Sequence, residues 1–239
     1  MAIQTRSLDY NHDGAALRAF VADDDAKPGP KPAVLVAHAW AGRSACEDDA
    51  AKRMAALGYV GVAIDVYGAG VLGASKEENE ELMTPFVQDR ALLRARLAAG
   101  LEAARGDAAV DGAKVAAIGF CFGGLCVLDM ARAGLDVHGV ASFHGLFMRP
   151  DDLPVQRIDA KVIAFHGYDD PMAPPDAMVG FANEMTEAVA DWRLHAFGGT
   201  MHSFTNPDAN DPDFGTVYSD LAATRSWNAL EGFLQECFA

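Results

Sequence analysis

Short, fully apolar runs separated by amphipathic helical stretches constrain this 239-residue chain more than any other feature. Ala33–Ala37 reads AVLVA, and Tyr59–Val66, Val115–Gly119, Val137–Phe143, Val162–His166 and Trp192–Phe197 have the same character. A strand that is apolar on both faces has to be covered on both faces, as in a parallel sheet. Helical patterns stand between most of these runs. Ser44 with Glu47 forms a capping box, and Gly58 ends the helix it starts. Ser75 with Glu78 marks a second start and Thr84-Pro85 a third, running to about Arg105 with Phe86, Leu93, Leu97 and Leu101 as its apolar stripe. Met178–Val189 and Asp220–Phe238 complete the set. Ahead of them, Ile3–Tyr10 and Ala15–Ala22 flank Asn11-His12-Asp13-Gly14, the pattern of a β-hairpin. The charged Pro/Gly loop Asp23–Lys31 is too short for a domain linker. The expectation is one domain over 1–239: an α/β, doubly wound, mostly parallel sheet with an N-terminal antiparallel hairpin and helices on both faces.

In such sheets, reactive side chains sit at the carboxyl ends of the strands. Val115–Gly119 runs straight into G-F-C-F-G-G (119–124) and then into a helical pattern. This is the layout of a nucleophile elbow with Cys121 in place of serine. Side chains at Gly119 and Gly123 would collide with neighbouring backbone in so tight a turn. The helix that follows points its positive end at the sulfur, which favours thiolate. Cys46, Cys126 and Cys237 are expected to be inert, because the four cysteines show neither a disulfide framework nor a zinc spacing.

A cysteine nucleophile needs a base, and the base an orienting acid, in chain order nucleophile, acid, histidine. Val162–Pro171 is a strand ending in a loop with Asp169 or Asp170 as the acid. After the last strand, Gly198–Phe204 presents His202. His12, His138, His144, His166 and His195 are read as ordinary hydrogen-bonding residues. One oxyanion donor is the backbone N–H of Phe122. The other is expected from His38–Gly42, with Trp40 the choice.

These motifs, with H-G-Y-D-D-P-M-A-P (166–174), M-H-S-F (201–204) and D-V-Y (65–67), resemble the dienelactone hydrolase (carboxymethylenebutenolidase-like) family of α/β-hydrolases, from about Leu17 to Phe238. The family's H-G-x-x-D-x-x-x-P falls on His166, Gly167, Asp170 and Pro174, so the resemblance selects Asp170 and implies a Cys121–His202–Asp170 triad. It also exposes departures. Ala39 stands where dienelactone hydrolases proper carry a glutamate, and Asn206 where they carry a carboxylate-binding arginine. The arginine expected after D-V-Y is missing from Gly68–Val87, which offers only Lys76, and nothing in the sequence brings Arg43 to the site.

Function follows as an expectation. The chain hydrolyses small neutral aryl or short-chain esters through a thioester, with phosphotriester hydrolysis as a side activity. Its pocket draws on Ala39, Trp40, Tyr67, Phe204 and Asn206. A true dienelactone hydrolase is the alternative, and a non-catalytic ligand-binding or redox-thiol protein a more distant one. No metal or cofactor is expected. The 34 acidic against 19 basic residues give a net charge of −15, which repels nucleic-acid phosphates and anionic membranes alike. Asp65 interrupts the longest apolar stretch, Tyr59–Ala74, short of the roughly 18 residues a membrane helix needs. Met1–Arg6 lacks a signal-peptide core, so a cytoplasmic monomer or weak homodimer is expected.

Overall fold

Asp13 and Gly14 both take positive φ, 51° and 81°, which is the mark of a two-residue type I′ hairpin turn. The turn joins β1 (Ile3–His12) to β2 (Ala15–Asp24), antiparallel from His12↔Ala15 to Ile3↔Asp24. The computed structural model describes residues 3–26 and 29–239. Met1 and Ala2, and Lys27 and Pro28 of the charged loop, lie outside the described residues. The chain divides into two compact units, Met1–Ala117 and Ile118–Ala239.

The first unit continues with β3 (Lys31–Ala37), α1 (Ala45–Ala56), β4 (Val60–Ile64), α2 (Lys76–Gln88), α3 (Arg90–Arg105) and most of β5 (Val110–Phe120). Its strand order is β1-β2-β4-β3-β5, with β2 antiparallel and β3 parallel to β4. β4 is buried along its whole length, and two of its residues show how it is covered. A Cβ on Gly61 would strike the Ala51 carbonyl oxygen at 2.0 Å, so the α1 backbone lies directly on it. Ile64, three residues on, packs against Gly100 of α3. Side chains alternate along a strand, so α1 and α3 cover opposite faces. The capping box of α1 forms as expected, with Ser44 and Glu47 each bonding the other's backbone N–H. The expected helix start at Thr84-Pro85 does not occur. Pro85 sits inside the last turns of α2, and the break falls at Asp89, whose non-helical backbone (φ −114°, ψ 86°) and side-chain bond to the Leu92 N–H open α3.

The second unit takes up the end of β5 and adds α4 (Phe122–Arg132), β6 (Gly139–Phe143), β7 (Lys161–Gly167), α5 (Pro175–Glu187), β8 (Trp192–Phe197), the short ribbon β9 (Asn210–Asp211) with β10 (Thr216–Val217), and α6 (Asp220–Phe238). The order is β5-β6-β7-β8, with β6, β7 and β8 parallel. β6 repeats the geometry of β4. A Cβ on Gly139 would meet Cys237 Sγ and the Phe233 ring of α6, whereas Ser142 points at Gly124 of α4. Positions 139 and 142 face opposite ways, so helices again cover both faces.

Arg132, at the end of α4, fastens the segment that leaves β6. Its guanidinium donates to both oxygens of Glu184 on α5 (2.9 and 2.8 Å), to Asp129, and to the carbonyls of Phe147 and Met148. Arg132 and Asp129 are almost wholly buried. Arg132→Met therefore removes the cation from beside the buried Asp129 and the partly buried Glu184, and chemical denaturation should show a loss of about 3 kcal/mol. A loss below about 1 kcal/mol would mean that the carboxylates are solvated and that the knot is ornamental.

Candidate active site

The turn from β5 into α4 has no spare room. A Cβ on Gly119 would lie 2.0 Å from the Gly123 carbonyl oxygen, and one on Gly124 would lie 2.6 Å from both Gly145 Cα and Ser142 Oγ. The sequence pointed to Gly119 and Gly123; Gly119 lies on the Gly123 carbonyl, and Gly124 adds a close approach that the sequence did not indicate. Between them Cys121 is held at φ 55°, ψ −115°, a conformation that costs a non-glycine residue about 1–3 kcal/mol. Its N–H is shared between the Phe143 carbonyl (3.0 Å) and His144 Nδ1 (3.2 Å), and its own carbonyl accepts the Gly124 N–H at 2.9 Å. The sulfur-bearing residue is only half-buried, at the N-terminus of α4, with the Phe122 N–H next in line.

The two remaining predicted residues are brought together by loops that lean on one another. A Cβ on Gly167, at the end of β7, would strike the carbonyl oxygens of Thr200 and Met201 at 2.5 and 2.6 Å. That close approach lets the Asp169 N–H donate to the Thr200 carbonyl at 3.0 Å. The Asp169 side chain is exposed, while Asp170 is 1% exposed. Asp170 Oδ1 accepts the Met172 N–H at 2.8 Å, and Oδ2 accepts from His202 Nδ1 at 2.7 Å. His202 is stapled at both backbone groups: its N–H donates to the Gly215 carbonyl, and its carbonyl accepts the Val217 N–H of β10. Gly215, at φ 85°, leaves the space that Pro171 fills.

With Nδ1 committed to Asp170, Nε2 is the nitrogen left for chemistry. It is buried and meets no well-aligned hydrogen-bond partner. Burial is the largest influence on the imidazole and opposes its charge. The negative charge of Cys121 beside it, together with the bond to Asp170, outweighs burial and pushes His202 up to about 10. The arrangement suits a nucleophile paired with an imidazolium that its carboxylate holds in one tautomer.

Two histidines read as ordinary from sequence lie beside this pair. His144, directly after β6, packs edge-on against His202 with ring centroids 5.2 Å apart. His166, at the end of β7, is buried with its ring against Phe147. Burial, above all, lowers the pKa of both, that of His144 well below the usual range. The strand-end rule that led to Cys121 and His202 applies equally to His144; its position in S-F-H-G was the available signal.

The predicted residues of the first unit form a cluster of their own. His38 Nε2 accepts the Val66 N–H, so Nδ1 carries the hydrogen and donates to the Ala39 carbonyl at 2.7 Å. The Ala39 N–H is taken by the buried Glu47 carboxylate, and the Trp40 carbonyl accepts from Tyr67 OH at 3.0 Å. Tyr67 stacks on Phe86 and sits edge-on to His38. Arg43 is engaged by Asp48 and by the Arg18 carbonyl. Of the pocket residues expected in the second unit, Phe204 has no exposed face and packs edge-on against His144 and Phe197. Asn206 is half-buried, and its side-chain oxygen accepts the Asp208 N–H of a turn. No helix among the described residues is long and apolar enough to cross a membrane.

A model of the dienelactone hydrolase family matches residues 17–238. The structure of a dienelactone hydrolase-like promiscuous phosphotriesterase from metagenomic libraries superposes with a TM-score of 0.93 at 33% identity, covering 100% of both chains. An uncharacterised Caenorhabditis elegans protein is 38% identical over 150 residues, 62% of this chain and 95% of that one. A Bradyrhizobium sp protein named a probable 2-oxo-3-(5-oxofuran-2-ylidene)propanoate lactonase is 27% identical over 95% of this chain and 94% of its own.

The raised pKa has a sign that can be followed. A histidine raised above its unfolded value of about 6.5 adds stability that is fully present below that pH and is lost as pH climbs toward 10. Imidazole Cε1–H resonances followed by NMR should show His202 titrating near 10 in the wild type. In Cys121→Ala the midpoint should fall, because the largest raising influence is gone. A wild-type midpoint below about 7 would mean that no thiolate–imidazolium pair forms at neutral pH.

Proposed function

Because the chain belongs to the dienelactone hydrolase family, we propose that it hydrolyses small neutral esters, aryl or short-chain, by covalent catalysis on Cys121. The observation that carries this reading is the buried 2.7 Å bond from His202 Nδ1 to Asp170, which leaves Nε2 without a well-aligned partner and under the influence of Cys121 at the elbow. Cys121 attacks the ester carbonyl as thiolate. The tetrahedral oxyanion is held by the Phe122 N–H at the start of α4, with the Trp40 N–H as the second donor expected from sequence. As the C–O bond breaks, imidazolium His202 gives its proton to the departing alkoxide or phenoxide. His202 then takes a proton from water, hydroxide adds to the thioester carbonyl, and the thiolate leaves. Asp170 keeps the imidazole in one tautomer throughout.

Substrate charge follows from what lines the expected pocket. Ala39 and Asn206 bring no cation, and Arg43 is already engaged by Asp48 and the Arg18 carbonyl. A buried carboxylate without a guanidinium loses its hydration with nothing in return. The net charge of −15 adds a weaker bias of the same sign, screened over about 10 Å at ordinary salt. A neutral phosphotriester meets the same conditions, and a thiolate can attack phosphorus as it does carbon. The relative named a promiscuous phosphotriesterase supports that side activity. The Bradyrhizobium relative, named for a carboxylate-bearing lactone, supports dienelactone hydrolysis as the competing reading.

Two sets of measurements test this. Cys121→Ala should lower kcat by at least about 10³-fold. Asp170→Asn should lower it far more than Asp169→Asn, because only the former disturbs the His202 tautomer. If Cys121→Ala retains a tenth of the activity, the covalent mechanism is wrong. In the second set, kcat/KM is compared for p-nitrophenyl butyrate, a dienelactone and a neutral p-nitrophenyl phosphotriester. The butyrate should rank first and the phosphotriester should be turned over detectably, while Asn206→Arg should raise activity on the dienelactone alone. A wild-type preference for the dienelactone would overturn the assignment of neutral substrates.

A further inference from the structure

His144 lies outside the Cys121–His202–Asp170 set, yet it touches both the nucleophile and the loop that carries the base. It follows β6 at φ 39° and is 3% exposed. Nδ1 accepts the Cys121 N–H at 3.2 Å, which requires that nitrogen to be unprotonated. Nε2 therefore carries the hydrogen and donates it to Thr205 Oγ1 at 2.7 Å. Thr205 sits three residues beyond His202 on the same loop. The ring is further fixed by edge-on contacts with His202 and with the buried Phe204, at centroid distances of 5.2 and 5.1 Å. Both nitrogens are occupied, one by a backbone amide and one by a hydroxyl, so His144 has no site left to act as a base itself. Burial, and after it the neighbouring His202, hold the ring neutral. Its neutrality matters, because a second imidazolium at this distance would oppose the charge on His202.

We propose that His144 is a positioning residue, a neutral imidazole that ties the backbone of the strained nucleophile to the base-bearing loop and so fixes Cys121 Sγ against His202 Nε2. The inference rests on the reading of Cys121 as nucleophile. The Cys121 N–H has two acceptors, and they answer to different parts of the molecule. The Phe143 carbonyl belongs to β6 and holds the elbow to the sheet. His144 passes the same amide on to Thr205, so a shift of the His202 loop is resisted at the nucleophile. Proton transfer between sulfur and nitrogen depends on hydrogen-bond reach at every turnover. The Cys121–His144–Thr205 link is in series, so cutting either end should undo all of it.

The test is the pre-steady-state acylation of Cys121 by p-nitrophenyl acetate, with mass spectrometry of the Cys121 peptide and steady-state kcat and KM. His144→Phe, which keeps a ring but neither nitrogen, and Thr205→Val, which leaves His144 in place, should each lower the maximal acylation rate of the burst by about 10- to 30-fold, with the substrate concentration that half-saturates the burst within about twofold. The double variant should be no slower than either single one, as expected for one shared link. Thr205→Ser, which restores the hydroxyl, should recover most of the rate. Should His144→Phe fail to fold, His144→Asn takes its place, because asparagine tolerates positive φ and has no group that reaches Thr205. Unchanged acylation in Thr205→Val, additive losses in the double variant, or a loss expressed only in the half-saturating concentration of the burst would each overturn the proposal. A wild type that turns over ester with no adduct on Cys121 would instead overturn the nucleophile reading, and the present inference with it.

Discussion

Three backbone contacts too close for any side chain set the conditions for everything else in the second unit. Gly119 lies on Gly123, Gly124 on Gly145, and Gly167 on Thr200 and Met201. The first two leave room for the chain to reverse at Cys121, and the third leaves room for the His202 loop to lie on the strand end that precedes Asp170. The strain at Cys121 is tolerable because its N–H has two acceptors and its carbonyl begins the hydrogen bonding of α4. A residue with a Cβ at any of the three glycines would push a backbone segment aside, and the side chains placed by that segment would move with it.

Desolvation shapes the electrostatics around the same residues. Burial is the largest influence on His144, His166 and His202 alike, and in each it disfavours the imidazolium. Only His202 overcomes it, because only His202 has both a carboxylate at 2.7 Å and the charge of Cys121 beside it. Two rings about 5 Å apart are therefore pushed in opposite directions by their own neighbours. Glu47 illustrates the same economy in the first unit: its buried carboxylate accepts from the Ser44 N–H, the Ser44 hydroxyl and the Ala39 N–H, so the helix cap and the loop carrying Trp40 share one anion.

Much of this was legible in the residues. Trp192–Phe197 and Asp220–Phe238 form the elements expected, with the same ends; Gly198-Gly199 follow the strand and Ser219 caps the start of the helix. The hairpin and the capping box of α1 rest on local chemistry that acts in the same way in any fold. The Thr84-Pro85 start failed for a related reason. Proline is favoured in the first turn of a helix, but the preference does not prevent it from sitting near the end of one, and Asp89 supplied the stronger cap. Cys121 and His202 could be picked out because each follows a strand in a small-residue loop. His144 follows a strand too, but a histidine after β6 looks like any other until its two ring nitrogens are seen to be occupied.

Periodicity and punctuation along the chain determined the strand and helix succession, the parallel sheet clothed on both faces, and the elbow at Cys121, because these depend on which residues are neighbours in sequence. The choice between Asp169 and Asp170 needed either a family motif or coordinates: the two differ in burial and in which way each side chain points, and adjacent residues of one loop carry no such label. The link from Cys121 through His144 to Thr205, the removal of Phe204 from solvent, and the engagement of Arg43 by Asp48 were decided by tertiary structure alone. Each depends on residues far apart in the chain meeting, or on a local partner being preferred over a distant one, and that competition is settled by packing.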